Sequence, residues 1–238
     1  MLDTVHERHR RAIVEGVPSW YRPLPHLAIP TLFGLCALIF AVTQIHALRP
    51  IELLAIPVTV LVAFAFEWRV HKSVLHRRLP GLGVIYDRHE LQHHVVFTHD
   101  DMPMRSSREL QLILMPAYAV LLIALVNAPL AYLASRFVAP NVGYIYLVTS
   151  MGFFLTYEWL HLAYHLPPSH PVGRVRLIAR LREHHRRHHE PRLMLAWNFN
   201  VTVPAFDWLH GTMWTREREA ERSPRRGSRG RSATAGRS

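Results

Sequence analysis

The chain has 238 residues, half of them hydrophobic, with 28 Lys and Arg, 17 Asp and Glu, and a formal charge of +11. Half hydrophobic is ordinary for a soluble domain, but here the apolar residues gather into four long blocks, leaving too little polar sequence to cover a soluble bundle. The only cysteine, Cys36, excludes an intrachain disulfide.

In chain order, residues 1–26 make a basic N-terminal segment, and the blocks follow at Leu27–Leu48, Ile51–Trp68, Leu110–Ser135 and Val138–Leu160. At about 1.5 Å per helical residue each can cross a hydrocarbon core of about 30 Å. None contains Lys, Arg or Asp, and Glu52, Glu67 and Glu158 lie near block ends, where a charge costs least. The first block begins only at residue 27 and is too long for a signal-peptide core, so no cleaved signal is expected. Pro30, Pro57, Pro116 and Pro129 predict kinks within the blocks.

Positive residues orient such a chain. Four Lys and Arg precede the first block, seven separate the second from the third, and fifteen follow the fourth; the two short connections hold only Arg49 and Arg136. The pattern predicts an all-α integral membrane protein, with four transmembrane helices in two hairpins and both termini cytoplasmic. Trp20, Tyr21, Trp68, Tyr157 and Trp159 fall at the inner ends, as an interfacial aromatic belt requires. Residues 215–238, rich in Arg, Ser and Gly, are expected to be a disordered basic tail held near anionic headgroups, with no nucleic acid needed as partner. Lys72 is the sole lysine, a bias that suggests a GC-rich genome and hence a bacterial inner membrane.

Thirteen of the 18 histidines lie in two cytoplasmic segments. The first carries His71, His76, His89, His93, His94 and His99; the second carries His161, His165, His170, His184, His185, His188 and His189. The topology delivers both segments to one face of the membrane at one depth. So many imidazoles packed without a metal would leave many polar nitrogens unsatisfied, and neutral imidazole is a ligand for Fe, Zn, Cu and Ni.

Residues 89–93, HELQH, also fit H-E-x-x-H, in which two histidines bind zinc and a glutamate acts as general base. The alternative function is therefore an intramembrane zinc metalloprotease using His89, Glu90 and His93. Such a site needs about three protein ligands; ten candidates are too many for it. If the segments are α-helical, His89 shares a face with His93, His161 with His165, and His185 with His189, while His71 and His76 diverge by about 140°. Ligands aimed two ways suit two ions.

The arrangement His71-x4-His76, His89-x3-His93-His94, His161-x3-His165 and His185-x2-His188-His189 resembles the histidine boxes of the fatty acid hydroxylase superfamily, which includes sterol desaturases and carotenoid hydroxylases. The later stretch PRLMLAWNFNVTVPAFDWLHGT resembles that family's closing signature, with Asn198, Asp207, Trp208, Gly211 and Thr212 in place. The resemblance implies a membrane domain over residues 27–214 with a cytosolic helical cap. It implies a di-iron centre held by His71, His76, His89, His93, His94, His161, His165, His185, His188 and His189, with His184 a competing register for the last box. It also implies O2 as co-substrate, hydroxylation or desaturation of a membrane lipid, and a separate electron-donor protein of cytochrome b5 or ferredoxin type. Glu67, Glu158 and Asp207 are candidates to orient imidazole N–H groups. Trp197, Phe199 and Phe206 are expected to pack against the cap or line a substrate tunnel.

Overall fold

The computed structural model describes residues 4–116 and 118–222, which form helices joined by loops with no strand among them. Helix α1, Val5–Glu15, is capped by Thr4, whose hydroxyl accepts from the Glu7 N–H at 3.2 Å. α2, Pro23–Thr43, begins on a proline, whose missing N–H costs nothing there. A 3-10 turn, Pro50–Leu54, leads into α3, Ala55–Val70, and then into a π-helical turn, His71–Leu75. Short α4, Gly83–Arg88, enters a second π turn, His89–His93, which ends in α5, His94–Val96. α6, Leu110–Ile113, α7, Ala119–Phe137, and the 25-residue α8, Pro140–Tyr164, follow. α9, Arg176–His188, α10, Ala205–Leu209, and α11, Arg216–Arg222, complete the described chain.

Among the described residues three helices are long and apolar enough to cross a membrane: Pro23–Thr43, the continuous Pro50–Leu75, and Ala119–Phe137. Their outward side chains, Ile39, Phe40, Leu61, Phe66 and Leu125 among them, are exposed on the protein and suit lipid contact. The chain is a membrane protein. The fourth apolar block differs because α8 is the central helix, packed against α2, α3 and α7. It buries Asn141, Glu158 and His161 among these neighbours and is correspondingly less apolar. At Gly143 an added Cβ would collide with the Ala131 carbonyl and the Ser135 side chain, so α7 and α8 approach closely there.

The third block is not one helix. α6 ends at Ile113, Leu114 turns extended, and Pro116 cannot supply the N–H that would carry the helix onward. Leu110, Leu112, Ile113 and Leu114 instead pack with Val96, Phe97 and Leu162 in a buried cluster beside the histidines. Of the four prolines, Pro30 and Pro129 lie inside long helices. The tail also departs from expectation at its start: Arg216–Arg222 is helical, held by Trp214 Nε1 donating to Glu219 at 3.0 Å and by the Arg222 guanidinium over Trp197. Residues 223–238 of that tail lie outside the described residues.

Polar clamps tie the two ends of the bundle. Away from the histidines, Asn141 Nδ2 donates to Glu52 and to the His46 carbonyl, both at 2.9 Å, joining the two helical hairpins. At the histidine end, the buried Glu67 carboxylate on α3 accepts from Val201 N (2.6 Å), Thr202 N (2.9 Å), Thr202 Oγ1 (2.6 Å) and Asn200 Nδ2 (3.0 Å). Glu67 thereby pins the loop after α9 to the membrane helix. Arg10 of α1, also buried, pairs with Asp101 and Glu109 at 2.8 Å and donates to the Val96 and Pro103 carbonyls.

Candidate metal centre

Four helix ends deliver the histidines. The C-terminal turns of α3 and α8 bring His71, His76, His161 and His165, the turn around α4 and α5 brings His89, His93 and His94, and the end of α9 brings His185, His188 and His189. Two of these ends are π-helical, and that changes which rings meet. A π turn bonds residue i to i+5, so residues five apart come together. His71 and His76 accordingly stack, with ring centroids 5.2 Å apart, rather than diverging. His89 likewise meets His94, Nε2 to Nε2 at 3.1 Å, and joins its group; His93 goes to the other.

All ten candidate ligands are brought together, in two groups. His71, His76, His89, His94 and His188 form the first; His93, His161, His165 and His185 form the second, with each group's nearest nitrogens within 4.8 Å of one another. His189 belongs with the second, its Nε2 3.0 Å from His185 Nε2 and 3.2 Å from His93 Nε2. The groups adjoin, His94 and His189 having ring centroids 4.2 Å apart. Nine of the ten residues are no more than 7% exposed; His89 is the more open.

The outer nitrogens test whether a metal fits. Nδ1 of His93 donates to the Leu112 carbonyl (2.9 Å), that of His165 to Met102 (2.9 Å), and that of His188 to Trp197 (3.0 Å). His71 and His189 donate likewise to the Phe199 and Phe97 carbonyls. His76 Nδ1 alone among the ten meets a carboxylate, that of Glu90. In these six rings the protons are committed outward and the inward Nε2 atoms are bare acceptors, while Nδ1 of His94 and of His185 is buried without a partner. Yet His76 and His188 face each other Nε2 to Nε2 at 2.9 Å, and His93 and His189 at 3.2 Å. Facing lone pairs repel unless a cation lies between them. His161 Nε2 and His165 Nε2 are buried with no partner at all. Each group therefore offers buried nitrogens spaced closely enough to hold a metal ion.

Electrostatics agree with neutral donors. Burial first, and the neighbouring imidazoles second, hold His89, His93, His94, His185 and His189 well below the usual imidazole range. Burial does the same for His165 and His188. Neutral imidazole is the metal-binding form.

The loop after α9 supplies two of the carbonyl acceptors and is itself over-determined. Asp207 accepts from Phe199 N (2.9 Å), Asn200 N (2.8 Å) and Thr212 Oγ1 (2.7 Å). Asn198 takes a left-handed φ of 58°, which asparagine tolerates, and bridges the His184 carbonyl to Trp214 N.

The remaining candidates stand elsewhere. His184 points away from both groups and pairs with Asp207 at 3.2 Å, so the last box runs in the His185 register. Glu158 accepts from the Met115 N–H at 3.2 Å, and Glu67 and Asp207 hold backbone of the closing loop rather than ligand rings. Trp197 and Phe199 are buried and turn their carbonyls to His188 and His71, while Trp208 is exposed. His99 contacts Arg186, and His170 caps the turn at Val172. Glu90 sits behind His76, and His89 and His93 fall in different groups, so HELQH does not form a protease pair. A third grouping, His6, Glu7 and Asp101, is already neutralised by Arg105 and Arg10. Backbone acceptors and the Arg10 brace leave no residue-type signal in the sequence; Glu90 leaves one, in a motif with a different usual meaning.

Residues 56–212, about two thirds of the chain, match the family model described as fatty acid hydroxylase. The match begins in α3, so α1 and α2 precede it. No curated protein and no solved structure matches the chain.

Proposed function

We propose that this chain, which belongs to the fatty acid hydroxylase family, hydroxylates or desaturates a membrane lipid at a pair of iron ions. The observation that carries the reading is the pair of five-imidazole groups with bare Nε2 atoms converging at about 3 Å. Soluble di-iron bundles bridge their ions with carboxylates; here the donor set is imidazole throughout.

Iron bound there would supply the O2 chemistry needed to break an unactivated C–H bond, which side chains cannot do alone. The chain's own residues do the rest. Carbonyls of Phe97, Met102, Leu112, Trp197 and Phe199 hold the Nδ1 protons and so fix each ring's tautomer and direction. The closing loop, pinned by Glu67 and Asp207, covers the first group and limits water. In this reading α8 is a fourth span, α4 to α6 and α9 to α11 form a cytosolic cap, and the lipid enters from the bilayer. Both termini are cytoplasmic, the membrane is a bacterial inner membrane, and electrons come from a separate donor protein of cytochrome b5 or ferredoxin type.

The test is metal content and product together, in wild type and His188→Ala purified from iron-supplemented cells. About two ions per wild-type chain, fewer in the variant, and an 18O-labelled or unsaturated lipid formed only by wild type are expected. A single zinc untouched by the substitution would sink the reading.

A further inference from the structure

We propose that Glu90 is a positioning residue that makes the two metal sites unequal, an inference that rests on the two-metal reading. Every other site ring with an outer hydrogen-bond partner gives its Nδ1 proton to a neutral backbone carbonyl. His76 gives its proton to the Glu90 carboxylate, and the pair is nearly dry, with side chains 1% and 13% exposed. Among the described residues no other carboxylate hydrogen-bonds any of the ten rings.

The π turn explains the placement. His89–His93 winds so that His89 and His94 face the first group, and the same winding carries residue 90 behind His76, across from the first π turn. Glu90 therefore lies on the far side of the His76 ring from the converging Nε2 atoms. From there it cannot act as a base toward a metal-bound reactant, but it can act through the ring. An anionic acceptor strengthens the hydrogen bond, fixes the ring and raises the donor strength of Nε2. The first group thus has one charge-backed imidazole, while no ring of the second is backed by a carboxylate. The ion in the first group is held more tightly and is the more electron-rich of the two.

The full chain in detergent, loaded anaerobically with 57Fe(II), is the system to use, with Mössbauer spectra and release to a chelator as readouts. Wild type should give two ferrous environments. Glu90→Gln keeps an acceptor but removes the charge; it should shift one environment, leave the other, and speed release of one iron about 10- to 100-fold. Glu90→Asp, which restores the charge, should move both readouts back toward wild type. Unchanged spectra and release in Glu90→Gln, or equal shifts in both environments, would overturn the proposal while leaving two irons in place. A wild-type chain that holds one iron or none would instead overturn the two-metal reading, and this proposal with it.

Discussion

The two histidine groups are alike in donors and unlike in construction. The first draws His71, His76, His89 and His94 from two π turns and takes its outer acceptors from Trp197 and Phe199 in the closing loop and from Glu90. The second is built on α-helical i,i+4 pairs, His161 with His165 and His185 with His189, and leans on Phe97, Met102 and Leu112. Two groups of the same donor type are thus braced by different stretches of chain. It follows that they should be separable by substitutions that touch no ligand.

The largest expected effect treats the groups as one body of buried rings. His89, His93, His94, His165, His185, His188 and His189 all titrate well below the ordinary imidazole value, burial being the main cause. Without metal, the unfolded chain takes up protons as pH falls through about 6.5 while the folded chain refuses them. Stability is then unaffected above that pH and falls below it, by up to about 1.4 kcal/mol per pH unit for each ring. Several rings together should remove most of a domain's stability of about 5–15 kcal/mol between pH 6.5 and 5. Metal loading should flatten the profile, because a ligated nitrogen takes up no proton until the metal leaves. Denaturation midpoints against pH, with and without metal, check this; a flat metal-free profile would contradict it.

A pair of substitutions then separates the groups. Arg10→Ala removes the guanidinium that holds the Val96 and Pro103 carbonyls, next to the acceptors Phe97 and Met102 of the second group. It also leaves Glu109, 3% exposed, without its cationic partner though still hydrogen-bonded to the Arg105 N–H, at a cost of about 3–5 kcal/mol. Asp207→Ala frees the N–H groups of Phe199 and Asn200 and loosens the loop behind the first group, costing on the order of 3 kcal/mol. Each single variant should fall from two metals to one, and the double variant to none. If either single variant loses both ions together, the groups form one cooperative unit and the contrast between them fails.

Much of this site could be read from residue type and spacing, and the misreadings share a cause. The ten candidate histidines that come together could be picked out because histidine is chemically distinctive and the boxes are dense. The grouping could not, because the chain makes π turns where the spacing reads as α-helix at about 100° per residue; hence His89 joins His94, and His71 meets His76. Hydropathy located four apolar blocks but could not tell lipid from protein as the neighbour. Leu110–Ile113 packs into the buried cluster beside the histidines and α8 packs among α2, α3 and α7 for that reason. The carboxylates stand out in the sequence but their partners do not, since Glu67 and Asp207 grip backbone N–H groups that no sequence pattern marks.

The smallest effect probes how far the first group depends on the membrane helix itself. Trp68, at the histidine end of α3, donates its indole N–H to Thr212 Oγ1 at 3.0 Å, and Thr212 in turn donates to Asp207. Trp68 also stacks on His210, with centroids 4.3 Å apart. Trp68→Phe keeps an aromatic ring against His210 but loses the hydrogen bond, and Thr212 remains satisfied as a donor through Asp207. The loss should therefore be about 1 kcal/mol, with both metals retained, read as a small fall in the denaturation midpoint at unchanged metal content. Loss of one ion from so slight a change would mean that the loop is held over the first group mainly by α3, and that Asp207 only relays a constraint imposed by the membrane helix.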